Sequence, residues 1–217
     1  MLAAVLATAV VARDPAPARA DEAPASAVAR DAFGSEEPLC GDGRADTCRR
    51  LCLRGRQASA CYELGRMYEW GNAQVSQDSW SARRFYLISC SGGDARGCNG
   101  AGYLYGTGKG PPQNYARAVQ LYSWACRLGY PLGCFNVGVM HESGFGVRKS
   151  IGAAAMLYRR ACDAGNANAC SSLGVLFYKG VDPVFSDPVG GIELLRRGCA
   201  GGNQWGCDRL KDYGYAP

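Results

Sequence analysis

Histidine is almost missing from these 217 residues: His141 is the single one, so any Ser-His-Asp or Cys-His scheme must pass through that imidazole. Neither Cys-x-x-Cys nor His-Glu-x-x-His occurs, which argues against a zinc ribbon and a metalloprotease. Ser-x-x-Lys and Lys-Thr-Gly, the strings of an acyl-enzyme penicillin site, do not occur either. The nearest fragment, Gly106-Thr107-Gly108-Lys109-Gly110, has its order wrong, with the lysine after Thr-Gly; its lead-in is too short for a phosphate loop, and Gly follows the lysine. Long apolar runs are lacking beyond the first twelve residues, so no membrane span is expected, and no cysteine sits where a lipid anchor would be attached. Charge of one sign is not concentrated. The net charge is +5, and the arginine pairs 49/50, 83/84, 159/160 and 196/197 are dispersed as solvated helix faces would disperse them, so nucleic acid is not an expected partner.

Cysteine is abundant instead. Twelve thiols in one chain exceed what a reducing compartment tolerates and point to export. The opening MLAAVLATAVVA is apolar, and Ala18-Arg19-Ala20 fits an A-x-A cleavage site, so residues 1–20 read as a signal peptide lacking its basic front, cut short or begun at a misplaced start. Its removal takes away Arg13, Asp14 and Arg19 and leaves +4. Residues 21–39, rich in Ala, Pro, Ser and acids, read as a flexible linker.

From Cys40 onward the chain repeats itself. Cys90, Cys126, Cys162 and Cys199 follow one another at steps of 36, 36 and 37, each with a partner eight residues on, at Cys98, Cys134, Cys170 and Cys207. CYELGRMYEWG, CNGAGYLYGTG, CFNVGVMHESG and CSSLGVLFYKG begin at Cys61, Cys98, Cys134 and Cys170, with Gly four residues in, a ring seven in and Gly ten in. Ala82-Tyr86-Cys90, Ala118-Tyr122-Cys126 and Ala154-Tyr158-Cys162 then share one helix face at i, i+4 and i+8, with Gly191-Leu195-Cys199 a looser copy. Each unit therefore reads as a helix A of about ten residues opened by Cys, a glycine loop, and a helix B of about twelve to fourteen closed by Cys. Gly65, Gly102, Gly138 and Gly174, each costing about 1 kcal/mol inside a helix, imply close approach of helix B. Gly71, Gly108, Gly144 and Gly180 mark helix ends, and Ser79, Asn114, Ser150 and Asp187 introduce helix B. A short helix over 45–53 precedes the array, and Cys207 to Gly214 reads as a truncated helix A that caps it.

Two cysteines eight apart on one helix would lie about 12 Å apart, whereas bridged Cα atoms sit at about 4.4–6.8 Å, so the chain must turn between them. Glycines and prolines lie where that turn is needed, as in Cys126-RLGYPLG-Cys134. Bridges Cys90–Cys98, Cys126–Cys134, Cys162–Cys170 and Cys199–Cys207 then tie each helix B to the next helix A. Cys52–Cys61 fits the same role with one residue inserted, and Cys40–Cys48 follows by elimination, with the i, i+4 relation of Cys48 to Cys52 leaving an alternative open. Each closure of about nine residues removes roughly 2–3 kcal/mol of unfolded-state entropy.

This register, carried by Cys98-Gly102-Tyr105-Gly108-Gly110 with Ala118-Tyr122-Cys126 and by Cys134-Gly138-His141-Gly144-Gly146-Val147 with Ala154-Tyr158-Cys162, resembles the Sel1-like repeats. The Cys-x7-Cys spacing is similar to the secreted Helicobacter cysteine-rich proteins, and the resemblance covers about residues 44–213. It implies an all-α fold, an α/α superhelical solenoid of TPR-like helix-turn-helix repeats with disulfides inside the array. The expected division is a half repeat at 40–60, repeats at 61–97, 98–133, 134–169 and 170–206, a capping helix at 207–213 and a tail at 214–217. Gly180-Val-Asp-Pro-Val184 departs from the pattern, and a protruding loop is expected there. The resemblance also implies a periplasmic or secreted scaffold that binds a peptide or protein in a groove lined by helices A, with weak β-lactam binding or hydrolysis, as described for similar proteins, the alternative. No catalytic residue, metal ligand or cofactor is expected. His141 fills the slot of Tyr68, Tyr105 and Phe177 and reads as a packed ring, neighbouring Glu142 and Ser143 without forming a triad. Trp80, Tyr115, Trp124, Tyr130 and Trp205 stand outside the core register and are the candidate binding surface, with Arg66, Glu69 and Glu142 as candidate groove polar residues.

Overall fold

The structure, a computed structural model, describes residues 29–30, 36–37, 40, 44–180 and 186–216. The expected signal peptide, most of the linker and the 181–185 part of the expected protruding loop lie outside the described residues. Within the linker stretch, β1 (Ala29–Arg30) and β2 (Glu36–Glu37) pair antiparallel, Ala29 opposite Glu37. Everything else regular among the described residues is helical, and the chain divides into two compact units at Leu128/Gly129.

The first unit carries α1 (Ala45–Leu53), α2 (Ala58–Trp70), α3 (Ser79–Ser91), α4 (Ala95–Thr107) and α5 (Tyr115–Arg127). Helix α2 packs on α3 and α4 on α5 as hairpins, while α1 packs on α2 and α3 on α4 across the junctions. Tyr86 explains the glycines. A Cβ on Gly65 would lie 2.6 Å from its ring and one on Gly100 2.9 Å from the other edge, so the phenol is held between helix A of its own hairpin and that of the next. Gly102 receives Tyr122 in the same way, at 2.8 Å.

The second unit carries α6 (Pro131–Ser143), α7 (Ile151–Asp163), α8 (Ala167–Lys179), α9 (Pro188–Ala200) and α10 (Gln204–Asp212). Here α6 pairs with α7 and α8 with α9, α7 packs on α8, and α10 closes over α9 through the fully buried Leu210 against Ile192 and Leu195. A Cβ on Gly138 would lie 2.5 Å from the Tyr158 ring; in the last hairpin, where Leu195 replaces the tyrosine, one on Gly174 would lie 2.8 Å from the Gly191 carbonyl oxygen instead.

The joints recur in both units. The helix B caps Asp78, Asn114, Ser150 and Asp187 accept backbone N–H groups of Trp80, Arg117, Ala153 and Gly190. Ser79, expected as the first cap, is instead the first helical residue, one place after Asp78. The N–H of each cap donates to the carbonyl of Tyr68, Tyr105, His141 or Phe177, which fixes the width of the A–B loop. Gly108 and Gly144 end their helices at φ 71° and 77°, left-handed geometry that a Cβ disfavours.

Helix A runs thirteen residues rather than about ten and starts three residues before its cysteine, at Ala58, Ala95, Pro131 and Ala167. The bridges Cys90–Cys98 in the first unit and Cys162–Cys170 in the second therefore join the penultimate residue of a helix B to the fourth residue of the next helix A, with Cα atoms 4.5 and 4.6 Å apart. Cys40–Cys48, Cys52–Cys61 and Cys199–Cys207 are also bonded, each at 4.7 Å, and Cys126 and Cys134 are disulfide-bonded as well.

Candidate interaction surface

Helices α2 and α4 of the first unit lie side by side, and their outer faces share a polar cluster built around Tyr62. Arg96 places its guanidinium 4.4 Å from the centre of that ring and Arg66 lies 5.9 Å away. Glu63 stands between the two arginines at 3.5 Å and 3.7 Å, and Asp94 grips Arg96 at 2.6 Å. The Asp94 hydrogen bond holds Arg96 protonated, its pKa raised against the opposing pull of burial. Two arginines and two carboxylates leave this face neutral. Two turns further along α4, the Tyr103 hydroxyl accepts from the Lys109 ammonium at 3.4 Å.

Two of the expected groove residues face inward instead. Glu69 is buried and accepts the Tyr86 hydroxyl at 2.6 Å, and Glu142 accepts the Tyr158 hydroxyl at 2.6 Å. Charge normally keeps a glutamate in water, but here the partner phenol lies 16 or 17 residues later on helix B, and its buried hydroxyl needs an acceptor. Burial first, and then the Glu142 charge, pushes the Tyr158 pKa well above the ordinary phenol value. The second and fourth hairpins lack the clamp: Gly106 replaces the glutamate beside Tyr122, and Tyr178 and Leu195 occupy the corresponding places at α8 and α9.

The five rings expected as a binding surface sit on α3, on α5, at the start of α6 and on α10. Trp80 is 53% exposed near the start of α3; Tyr115 is the first residue of α5; Trp124, 45% exposed, is near its end. Tyr130 caps the start of α6, and Trp205, 45% exposed, is the second residue of α10, with Arg209 5.9 Å from its ring. None of Trp80, Tyr115 and Trp124 is on a helix A, so they lie off the α2/α4 face.

Sequence reasoning also missed what some arginines do. Arg49 donates to the Tyr68 hydroxyl at 2.6 Å, Arg83 to that of Tyr105 at 3.1 Å, and Arg159 sits 5.3 Å over Phe177. Each reaches from one helix to the ring seven residues beyond the cysteine of the next helix A, a pattern visible only once the helices are paired.

Nothing in the described residues assembles a reaction centre. The His141 carbonyl accepts from the Ser150 N–H at 2.9 Å, its Nδ1 is buried without a hydrogen-bond partner, and Glu142 is committed to Tyr158. The Gly-Thr-Gly-Lys-Gly string starts in the last two residues of α4, where the Thr107 hydroxyl donates to the Tyr103 carbonyl, and runs on into the loop that follows. Among the described residues no group of His, Cys, Asp and Glu could hold a metal ion, and no helix is long and apolar enough to cross a membrane.

The Sel1 repeat family model matches residues 58–94, 95–130, 131–166 and 167–203, each match starting on the first residue of a helix A. The chain belongs to the Sel1 repeat family. Its fold class is the all-α, helix-turn-helix repeat of the Sel1 solenoids, and Sel1 repeats generally mediate protein interactions. It is similar to a protective antigen of uropathogenic Escherichia coli strains displaying an SLR fold, at 26% identity and a TM-score of 0.69, over 81% of this chain and 39% of the antigen. It is also similar to a Sel1 repeat protein from Oxalobacter formigenes, at 23% identity and a TM-score of 0.70, over 76% of this chain and 68% of that one. Helicobacter pylori cysteine-rich protein B aligns at 26% identity over 59% of this chain and 96% of its own, with a TM-score of 0.48. The chain thus spans about two fifths of the Escherichia coli antigen. No match is found among curated proteins.

Proposed function

We propose that this Sel1 repeat protein is an extracytoplasmic interaction scaffold, periplasmic or secreted, that binds a peptide or protein segment on the faces of its helices A. The observation that carries this reading is the α2/α4 face, where Glu63, Arg66 and Arg96, the arginines seated over the buried Tyr62 ring, and the half-buried Tyr103 offer both hydrogen-bonding signs and an aromatic ring with no reacting group among them. Twelve oxidised cysteines support the location, because reducing compartments keep such bridges open.

The test is capture of a partner from periplasmic and extracellular extracts by the oxidised protein. The double substitution Arg66→Ala, Tyr103→Ala is expected to lose the partner, and Met156→Ala, at an exposed residue of α7, to keep it. Capture that survives the double substitution contradicts the reading.

A further inference from the structure

The face of α3 differs from the α2/α4 cluster in one respect that bears on its ligand: among the described residues its positive charge has no counter-charge. Trp80, Ser81, Arg83, Arg84, Leu87 and Ile88, spaced as one side of a helix, line a shallow surface depression. Arg83 is fixed in place, its guanidinium 4.7 Å from the Trp80 ring centre and 5.8 Å from that of Tyr105, with one nitrogen donating to the Tyr105 hydroxyl. Its Nε is buried and has no hydrogen-bond partner. Arg84 is exposed and enters no ion pair among the described residues. The nearest acid along the helix, Asp78, is occupied by the Trp80 N–H at 3.0 Å and the Ser81 hydroxyl at 2.6 Å. By contrast, Arg66 and Arg96 are balanced by Glu63 and Asp94, and Arg209 beside Trp205 is paired with Asp212 at 2.6 Å.

We propose that the α3 face is a second docking surface, specific for an acidic peptide segment: a side-chain carboxylate on Arg84 and the edge of Arg83, and an adjoining apolar residue against Trp80, Leu87 and Ile88. A held arginine and an exposed tryptophan are the residue types that concentrate binding energy, and Arg83 is already ordered, so little freedom is lost when a carboxylate arrives. Two uncompensated charges suit a peptide with one or two acids. They are too few for a nucleic acid, whose affinity rests on neutralising many phosphates.

The test is selection of a random peptide library on the oxidised, full-length protein. Enrichment of peptides with two or more Asp or Glu next to a large apolar residue is expected. Arg84→Glu, at an exposed position, is expected to weaken the selected peptides more than tenfold while the circular dichroism spectrum is unchanged, and Trp80→Ala to weaken them as well. Arg66→Ala with Tyr103→Ala is expected to leave them bound, which separates this surface from the α2/α4 face. Selection without acidic enrichment, acidic peptides that tolerate Arg84→Glu, or displacement of the peptides by a single-stranded oligonucleotide that binds more tightly would each overturn the proposal.

Discussion

At the scale of single residues the fold rests on a ring seated against a glycine. Gly138→Ala would put a methyl 2.5 Å from the Tyr158 ring, and the interlocked hairpin has no room to move it, so a loss of about 1–3 kcal/mol is expected in a urea unfolding curve. Tyr158→Phe removes the hydroxyl that donates to Glu142 Oε2 and is expected to cost about 1–3 kcal/mol, whereas Glu142→Gln keeps an acceptor and costs less. The same pair sets an alkaline limit. The raised folded-state pKa of Tyr158 contributes stability that is fully present below the unfolded phenol value, about 10, and is lost as pH rises beyond it. Urea midpoints between pH 9 and 11 should therefore fall more steeply for the native chain than for Tyr158→Phe; equal slopes would contradict this reading. The glycine side of the pairing was legible, because an unfavourable residue recurring at fixed spacing inside a helix asks for a contact. The glutamate side was not, since its partner is far along the chain and a glutamate among polar neighbours looks solvated.

At the scale of elements the repeat is a hairpin with fixed joints: a cap on helix B whose N–H closes the loop, and a sulfur bridge at the following junction. Removing one buried bridge by the pair Cys162→Ser, Cys170→Ser is expected to cost about 2–3 kcal/mol, and Asp187→Ala, which strips the cap from α9, about 1 kcal/mol; both are read from denaturant midpoints. The bounds of α1 were fully legible, at 45–53. The start of helix A was misplaced by three residues because cysteine was taken as its first residue. The correcting signal was present in three junctions, where Asp94, Asn166 and Asn203, four residues before the cysteine, accept the N–H of Arg96, Ala169 and Gly206. It was absent at Gln57 and Tyr130, which make no side-chain cap. Pairing of exposed rings into a surface was not legible at all, because register tells which residues are off the core and not which helix carries them toward a partner.

At the scale of the whole molecule, stability is a sum of hairpins and of junctions between neighbours, so the terminal cap carries a disproportionate share. A chain ending at Gly202 would uncover Leu195 and Ile192 and leave Cys199 without its partner; lower thermal stability and binding of a hydrophobic dye are expected. The central claim is that every bridge is local, joining cysteines eight or nine residues apart, and none spans the chain. Peptide mapping of the oxidised protein under non-reducing conditions tests it most directly. The account predicts six crosslinked peptides, Cys40–Cys48, Cys52–Cys61, Cys90–Cys98, Cys126–Cys134, Cys162–Cys170 and Cys199–Cys207. Free thiols, or a crosslink that joins cysteines of separate junctions, would contradict it.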